Sequence, residues 1–500
     1  MGIIARQAFW NTVLTTAGMA LGFLNMALLF PKYLTSDEFG FTRLVVSISV
    51  IGAQVAQVGA ESTVIRYFPY FKDRTNAHRG LFGLVLMITT TTAVVAMAIV
   101  ASMQEAFAAW FGDASGLYQQ AGMIVLPLLL AEVWFITLRG IGRAVHRSVA
   151  PTFAREFLLR VLQTLLIVLH ATQGIAFEWF LILYAGTFLV TTLVVAWDLW
   201  RAGELVLGLG RIRIPRRMRR SMSRYAMFTF GSGLAVVVVG NVDQVMIGAM
   251  LADGLSYVAY YAVALFMASV VMIPARALVL PTLPIMAEAW RMRDMTRLAM
   301  LYGRTARVQL VLALYIMVGI WACIDQVFEF LAPEYAPGKE VLLVLGAANV
   351  INLSTGLSGG LVSTSRAYWF DAVSGLAYLV LNIVLDYVFI LRWGMMGAAW
   401  SSLVALLIVL AWRLLFLRRR FGLWPYDKRT AMILLVGAIT AGCVGVLPTF
   451  GPVWVDLLLR GCVVTVVFWS LVGVFNLDQD IIGAIPYWKR TQDGASGTVK

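Results

Sequence analysis

Residues 177–200 read FEWFLILYAGTFLVTTLVVAWDLW, and the chain then continues through Arg201 to Arg211-Ile-Arg-Ile-Pro-Arg-Arg-Met-Arg-Arg220. The first stretch supplies the roughly 20 apolar residues that a helix needs to cross a hydrocarbon layer. An acid, Glu178, stands at one end and a dense basic run at the other. Arginine and lysine collect on the cytoplasmic side of spanning helices, so this segment carries both a span and its direction. Whatever else the chain does, residues 177–199 belong in a membrane.

Working outward, the same ruler finds apolar segments near 8–30, 41–62, 81–103, 118–138, 152–171, 177–199, 225–250, 256–285, 305–325, 339–362, 369–391, 394–416, 430–448 and 453–475. Basic residues fill alternate connections: 66–79, 139–147, 201–224, 291–307, Arg366, 413–429 and the tail with Lys489 and Arg490. The connections between them carry Asp37 and Glu38, Glu105 and Asp113, Glu178, Asp253, Glu329 and Glu334, and Asp456. This alternation predicts about 14 transmembrane helices with both termini cytoplasmic. The composition agrees. Of 500 residues, 61% are hydrophobic and 13% charged, with mean hydropathy +0.84, against about half and a quarter in soluble domains.

The net charge of +13 is therefore a topology signal with contact to anionic lipid, and no nucleic-acid partner is expected. Cys323, Cys443 and Cys462 lie in apolar segments, and His78, His146 and His170 are scattered. No disulfide framework, metal site or cofactor is expected. Arg6 precedes an apolar segment without a small-residue cleavage site, which fits a retained first helix. No connection is long enough for a folded soluble domain, which counts against an enzyme. The longest basic loop divides the chain into an N-terminal lobe at 1–215, a C-terminal lobe at 216–428, and a final helix pair with a tail at 429–500.

The lobes repeat one another. Placing Gly40 over Ala259 brings Asn25 over Gln244 and Gln57 over Arg276, so polar residues recur at matching places in apolar helices. Parallel repeats are a recurrent transporter plan, with the substrate path between them. Three stretches carry a resemblance: Lys32-Tyr-Leu-Thr-Ser-Asp-Glu-Phe-Gly40 with Gly59 and Arg66-Tyr-Phe-Pro69; Asn241-Val-Asp-Gln-Val-Met-Ile-Gly248; and Leu381-Asn-Ile-Val-Leu-Asp386 with Trp393-Gly-Met-Met-Gly-Ala-Ala399. Together the chain resembles the polysaccharide-transporter, O-antigen-flippase-like branch of the multidrug/oligosaccharidyl-lipid/polysaccharide exporter superfamily. The resemblance implies an all-α, MATE-like architecture: two pseudo-symmetric six-helix lobes around a central cavity, plus two C-terminal helices. It also implies alternating-access flipping of a lipid-linked oligosaccharide on an undecaprenyl pyrophosphate carrier in the bacterial cytoplasmic membrane. Polysaccharide-assembly membrane proteins are the partners it suggests.

Ionisable and amide groups inside spans are the site candidates. Arg276 is read as a phosphate ligand, against a snorkelling cation. Asp243 is read as a proton or cation site or a sugar ligand, against an acid neutralised between helices. Asn241, Gln244, Asn25, Gln57, Asn349, Asn352 and Asn382 would give a cavity a hydrogen-bonding lining. Glu132 and Arg160 stand 14 residues either side of His146, which places them at similar depth as a buried ion pair or coupling element. Glu61 and Arg66 are read as an inner gate, against ordinary interfacial placement. The rival functions are a drug or organic-cation antiporter of the same fold, a peptidoglycan lipid-precursor flippase, a membrane glycosyltransferase or polymerase, and a non-transporting scaffold. An acidic cavity would favour the antiporter, and an arginine-rich first helix, not found here, would favour the precursor flippase.

Overall fold

The computed structural model describes the backbone of residues 3–73, 77–111, 116–205, 215–449 and 451–477. Every regular element among them is helical. Two packing units emerge: residues 1–263 with 386–395, and residues 264–385 with 396–500.

In the first unit, α1 (Ile3–Phe23) runs through a π-helical turn, Leu24–Leu29, to Tyr33. It is followed by α2 (Ser36–Ala56), α3 (Ala60–Phe71), α4 (Leu81–Ser102) and α5 (Val125–Ala144). A second π turn, Phe153–Leu158, leads into α6 (Leu159–Gln173), and α7 (Phe177–Arg201), α8 (Arg216–Val239), α9 (Val242–Met250) and the start of α10 (Gly254–Ser269) complete the unit. The centre is α5, which packs on α2, α3, α4 and α7 and buries Leu129, Val133, Phe135 and Ile141. Residues 32–40 now have a local explanation. Thr35 and Glu38 form a reciprocal capping box that starts α2, satisfying two orphan backbone donors. Gly40 lets the backbone of Leu255 approach so closely that a Cβ there would lie 1.7 Å from its carbonyl oxygen.

The second unit contains the end of α10, α11 (Ile273–Met292), α12 (Met295–Ala322), α13 (Gly338–Ser354), α14 (Ser358–Ser363), most of α15 (Tyr368–Phe421), α16 (Lys428–Gly445) and α17 (Val453–Val474). Here α12 is central, packing on α11, α13, α16 and α17.

Eleven described helices are long and apolar enough to cross a membrane, against about 14 expected. The difference lies at three places. The 54-residue α15 is two helices meeting at Gly394, whose φ of 56° and ψ of −140° are not helical. The expected span 152–171 carries Arg155, Glu156 and Arg160, which lower its hydropathy, and 339–362 is broken between α13 and α14 at Gly356, φ 58°. The packing also divides later than the basic loop: α8 and α9 lie on α2 and α3, inside the first unit.

Candidate functional site: charged and amide groups inside the helical units

The expected second span is not one helix. It breaks at Gln57-Val58-Gly59, where Val58 (φ 46°) and Gly59 (φ 71°) adopt left-handed backbone. A β-branched residue pays for that geometry in steric strain. Breaking a helix frees carbonyls that hydrocarbon cannot solvate. One of them, on Ala56, accepts from the Thr92 hydroxyl of α4 at 2.5 Å. Thr63 Oγ1 donates to the Gly59 carbonyl, and the Gln57 amide oxygen accepts from the Glu61 backbone at 3.4 Å. Only glycine fits at 59, because a Cβ there would lie 2.3 Å from the Ala226 carbonyl of α8.

Asp243 lies in the first turn of α9, buried, and its Oδ2 accepts from the Tyr261 hydroxyl of α10. Next to it, buried Gln244 accepts from Ser47 Oγ of α2 at 3.2 Å. Asn241 caps the break between α8 and α9 and donates to the Val237 carbonyl at 2.8 Å. These residues therefore assemble with Ser47 and Tyr261 into a polar cluster of the first unit. Asn25 is fully buried in the first π turn. Its Nδ2 donates to the Arg160 carbonyl at 2.9 Å, and its Oδ1 accepts from Thr164 at 2.7 Å. Its amide thus fastens the first helix to α6.

Two sequence expectations need correction. Glu132 is paired with Arg155, at 2.6 Å, and not with Arg160. A π turn holds one more residue than an α turn, so the helix beyond it is rotated by about 100° relative to an uninterrupted one. Arg155 sits within that turn and Arg160 beyond it. Arg155 is also sandwiched by the rings of Phe135 and Phe188, 5.3 and 5.2 Å from their centroids. Likewise Glu61 is not paired with Arg66. It is gripped by both arms of the Arg139 fork, at 2.9 and 2.7 Å, and by Arg143 at 2.9 Å. Arginines four residues apart on one helix face reach the same carboxylate, whereas Arg66 turns away to stack 4.2 Å over Tyr225 of α8.

Arg43 was missed in the sequence, as was the role of Arg155. Arg43 lies about two turns into α2, and its buried Nε has no hydrogen-bond partner among the described residues. A lone arginine between Thr42 and Leu44, well inside an apolar helix, was the available signal. Arg160 stands in the electrostatic field of Arg43, Arg155, Glu156 and Tyr184.

The remaining candidates lie in the second unit. Arg276 is carried by the first turn of α11, and its side chain lies outside the described residues. Asn349 donates to the Ala268 carbonyl at 2.9 Å. Asn352 is half-buried near the end of α13. Asn382 is fully buried and donates to Ser402 Oγ at 3.3 Å, its Oδ1 having no partner among the described residues. No group of His, Cys, Asp and Glu able to hold a metal ion is present among the described residues.

No family model matches the sequence, and no curated protein matches it either. Solved structures do. A structure of the lipid II flippase MurJ superposes with a TM-score of 0.74 at 13% identity, over 94% of this chain and 99% of that one. A multidrug resistance MATE family transporter of the MOP superfamily, in an inward-facing conformation, gives 0.63 at 15% identity over 82% and 94%. A mutant form of the Vibrio cholerae MATE transporter VcmN gives 0.54 at 14% over 84% and 98%. At such identities the likeness speaks for architecture: the chain is an all-helical, multi-pass membrane protein with the fold shared by MurJ and the MATE transporters.

Proposed function

We propose that this protein is a flippase that moves lipid-linked oligosaccharide across the bacterial cytoplasmic membrane for polysaccharide assembly, with both termini cytoplasmic. The observation that carries the reading is the set of guanidinium groups inside the first unit. Arg43, Arg155 and Arg160 lie inside apolar segments there, alongside the acids Glu132, Glu156 and Asp243. A charge in hydrocarbon is costly and persists where it serves transport. Guanidinium inside a membrane helix suits a diphosphate, whose oxygens accept paired N–H donors. It does not suit an organic-cation antiporter, which would keep its acids unneutralised. Glycan hydroxyls cannot cross hydrocarbon without losing their hydrogen bonds, so the head group needs a polar path while the lipid tail stays in the bilayer. The buried amides, with Arg276 as a second phosphate ligand, are the groups assigned to that path, and Asp243 is the acid assigned to ion coupling.

The test is reconstitution of the purified chain in vesicles holding undecaprenyl-pyrophosphate oligosaccharide, with head-group exposure read by an impermeant probe. Translocation lost in Arg276→Ala, and made insensitive to an ion gradient in Asp243→Asn, is the expected result. No translocation by the natural chain would overturn the reading. The likeness to the MurJ structure favours one second reading, a peptidoglycan lipid-precursor flippase, whose cargo shares the diphosphate. Rescue of cells depleted of their own lipid II flippase would select it.

A further inference from the structure

A pocket of about 700 Å³ lies beside the far end of α4, lined by Ser102, Gln104, Glu105 and Gln119 together with the small side chains of Ala108 and Ala109. That volume falls within the range of small-molecule sites, about 300–1,000 Å³. One wall is the short helix Gln104–Trp110. Residues 104, 105, 108 and 109 share one face of a helix, and here that face is polar or small. The opposite side carries Phe107, and Phe111 follows it. Both rings pack on buried Tyr118, at 6.3 and 5.1 Å between centroids, and Tyr118 packs on Phe41 of α2 at 6.2 Å. Aromatic contacts thus fix this helix to the first unit and leave its other face to the pocket. The level is set by α4, which starts just after Arg79, runs 22 residues and exposes Val94, Val95 and Ile99 as a lipid-facing helix does. The pocket opens within a turn or two of Ile99, next to exposed Trp110, and tryptophan favours the membrane–water interface. It therefore sits at head-group level, at the end of α4 remote from the basic connection. No lysine or arginine lines it, so a phosphate there would meet only the like charge of Glu105. One carboxylate is also too few for a calcium ion. A carboxylate accepts from neighbouring hydroxyls, and an amide both donates and accepts. Sugar rings need that mixture, and alanine methyls let their C–H faces come close.

We propose that this pocket is a glycan-binding site, and that it receives the sugar head group of the lipid-linked oligosaccharide on the outer face, after crossing. The proposal rests on the transport reading for the lipid-linked occupant and the outer face, and on the pocket lining alone for the sugar chemistry. Gln104, Glu105 and Gln119 hold hydroxyls of the sugars, while the diphosphate stays outside, toward the bilayer. Occupancy there opposes return of the head group.

The experiment uses the full chain in lipid nanodiscs. Its probes are undecaprenyl-pyrophosphate oligosaccharide, the free oligosaccharide that mild acid releases from it, inorganic diphosphate, and tetraphenylphosphonium as an organic cation. The free oligosaccharide is expected to bind, and to be displaced by the lipid-linked form but not by diphosphate or the cation. Ala109→Trp, which fills the pocket, and Glu105→Ala should each weaken that binding by about tenfold or more, with Glu105→Gln losing less because an amide oxygen still accepts. Both positions are exposed, so the unliganded thermal midpoint should match that of the natural protein. Equal binding by the natural protein, Ala109→Trp and Glu105→Ala would overturn the site. So would variants that unfold well below the natural protein. Displacement of the oligosaccharide by inorganic diphosphate or tetraphenylphosphonium would overturn the ligand class. A lipid-linked form that cannot displace the free one would overturn the assigned occupant. Oligosaccharide binding that both substitutions abolish, in a chain that moves no lipid-linked oligosaccharide, would sink the transport reading and leave the glycan site standing. Translocation by the natural chain, with binding indifferent to both substitutions, would do the reverse.

Discussion

The charged rim of the first unit and its interior treat charge in opposite ways. At the rim, Glu61 is held by Arg139 and Arg143, Asp198 accepts both arms of Arg147, and His78 meets Glu204 at 3.0 Å between the rings of Phe68 and Phe82. Each of these acids has its basic partner. Deeper in, where an unbalanced charge costs most, Arg43 and Arg160 have no acid of their own among the described residues. Acids that cross-link helices are structural, and stability is what they contribute.

That contrast can be broken experimentally. The largest effect expected is on Glu132→Ala, which strands Arg155. Removing one partner of a buried pair costs about 3 kcal/mol, and partial exposure of Arg155 with its two aromatic neighbours brings the expectation to about 2 kcal/mol. A thermal midpoint unchanged in detergent would show that the Glu132–Arg155 bond is not structural. Next comes Thr92→Val, which leaves the Ala56 carbonyl of the broken helix unsatisfied. A loss of about 1 kcal/mol is expected, read as faster amide exchange around residues 56–60. The sign reverses at Val58→Gly. Relief of left-handed strain should outweigh glycine's added freedom by roughly 0.5 kcal/mol, and a lower midpoint would mean that Val58 packing matters more than its backbone. The smallest effect belongs to Arg160→Gln, within about 0.5 kcal/mol of the natural protein, and a clear destabilisation would place Arg160 with the structural charges at the rim.

Much of the fold could be read from hydropathy and loop charge, because membranes impose both over whole segments. The breaks could not. Nothing apolar distinguishes Gln57-Val58-Gly59 from a continuing helix, and only the close passage of Ala226 against Gly59 makes the interruption necessary. Asp243, Gln244 and Asn241 were found by type, since amides and acids stand out in an apolar helix, but their partners Tyr261 and Ser47 are ordinary residues that the fold brings in. Equal depth correctly suggested a buried partner for Glu132 and chose the wrong arginine, because depth fixes height along a helix and says nothing of rotation about it.

The turn at Phe153–Leu158 therefore amounts to one surplus amino acid threaded into an otherwise regular coil. Such a surplus is undone by a one-codon deletion, which would wind the segment back to ordinary pitch and swing everything after it by about a quarter circle. Arg155 and Arg160 could then trade neighbours without either being mutated. Evolution, or a protein engineer, holds in that turn a way to re-aim a charge by changing length alone.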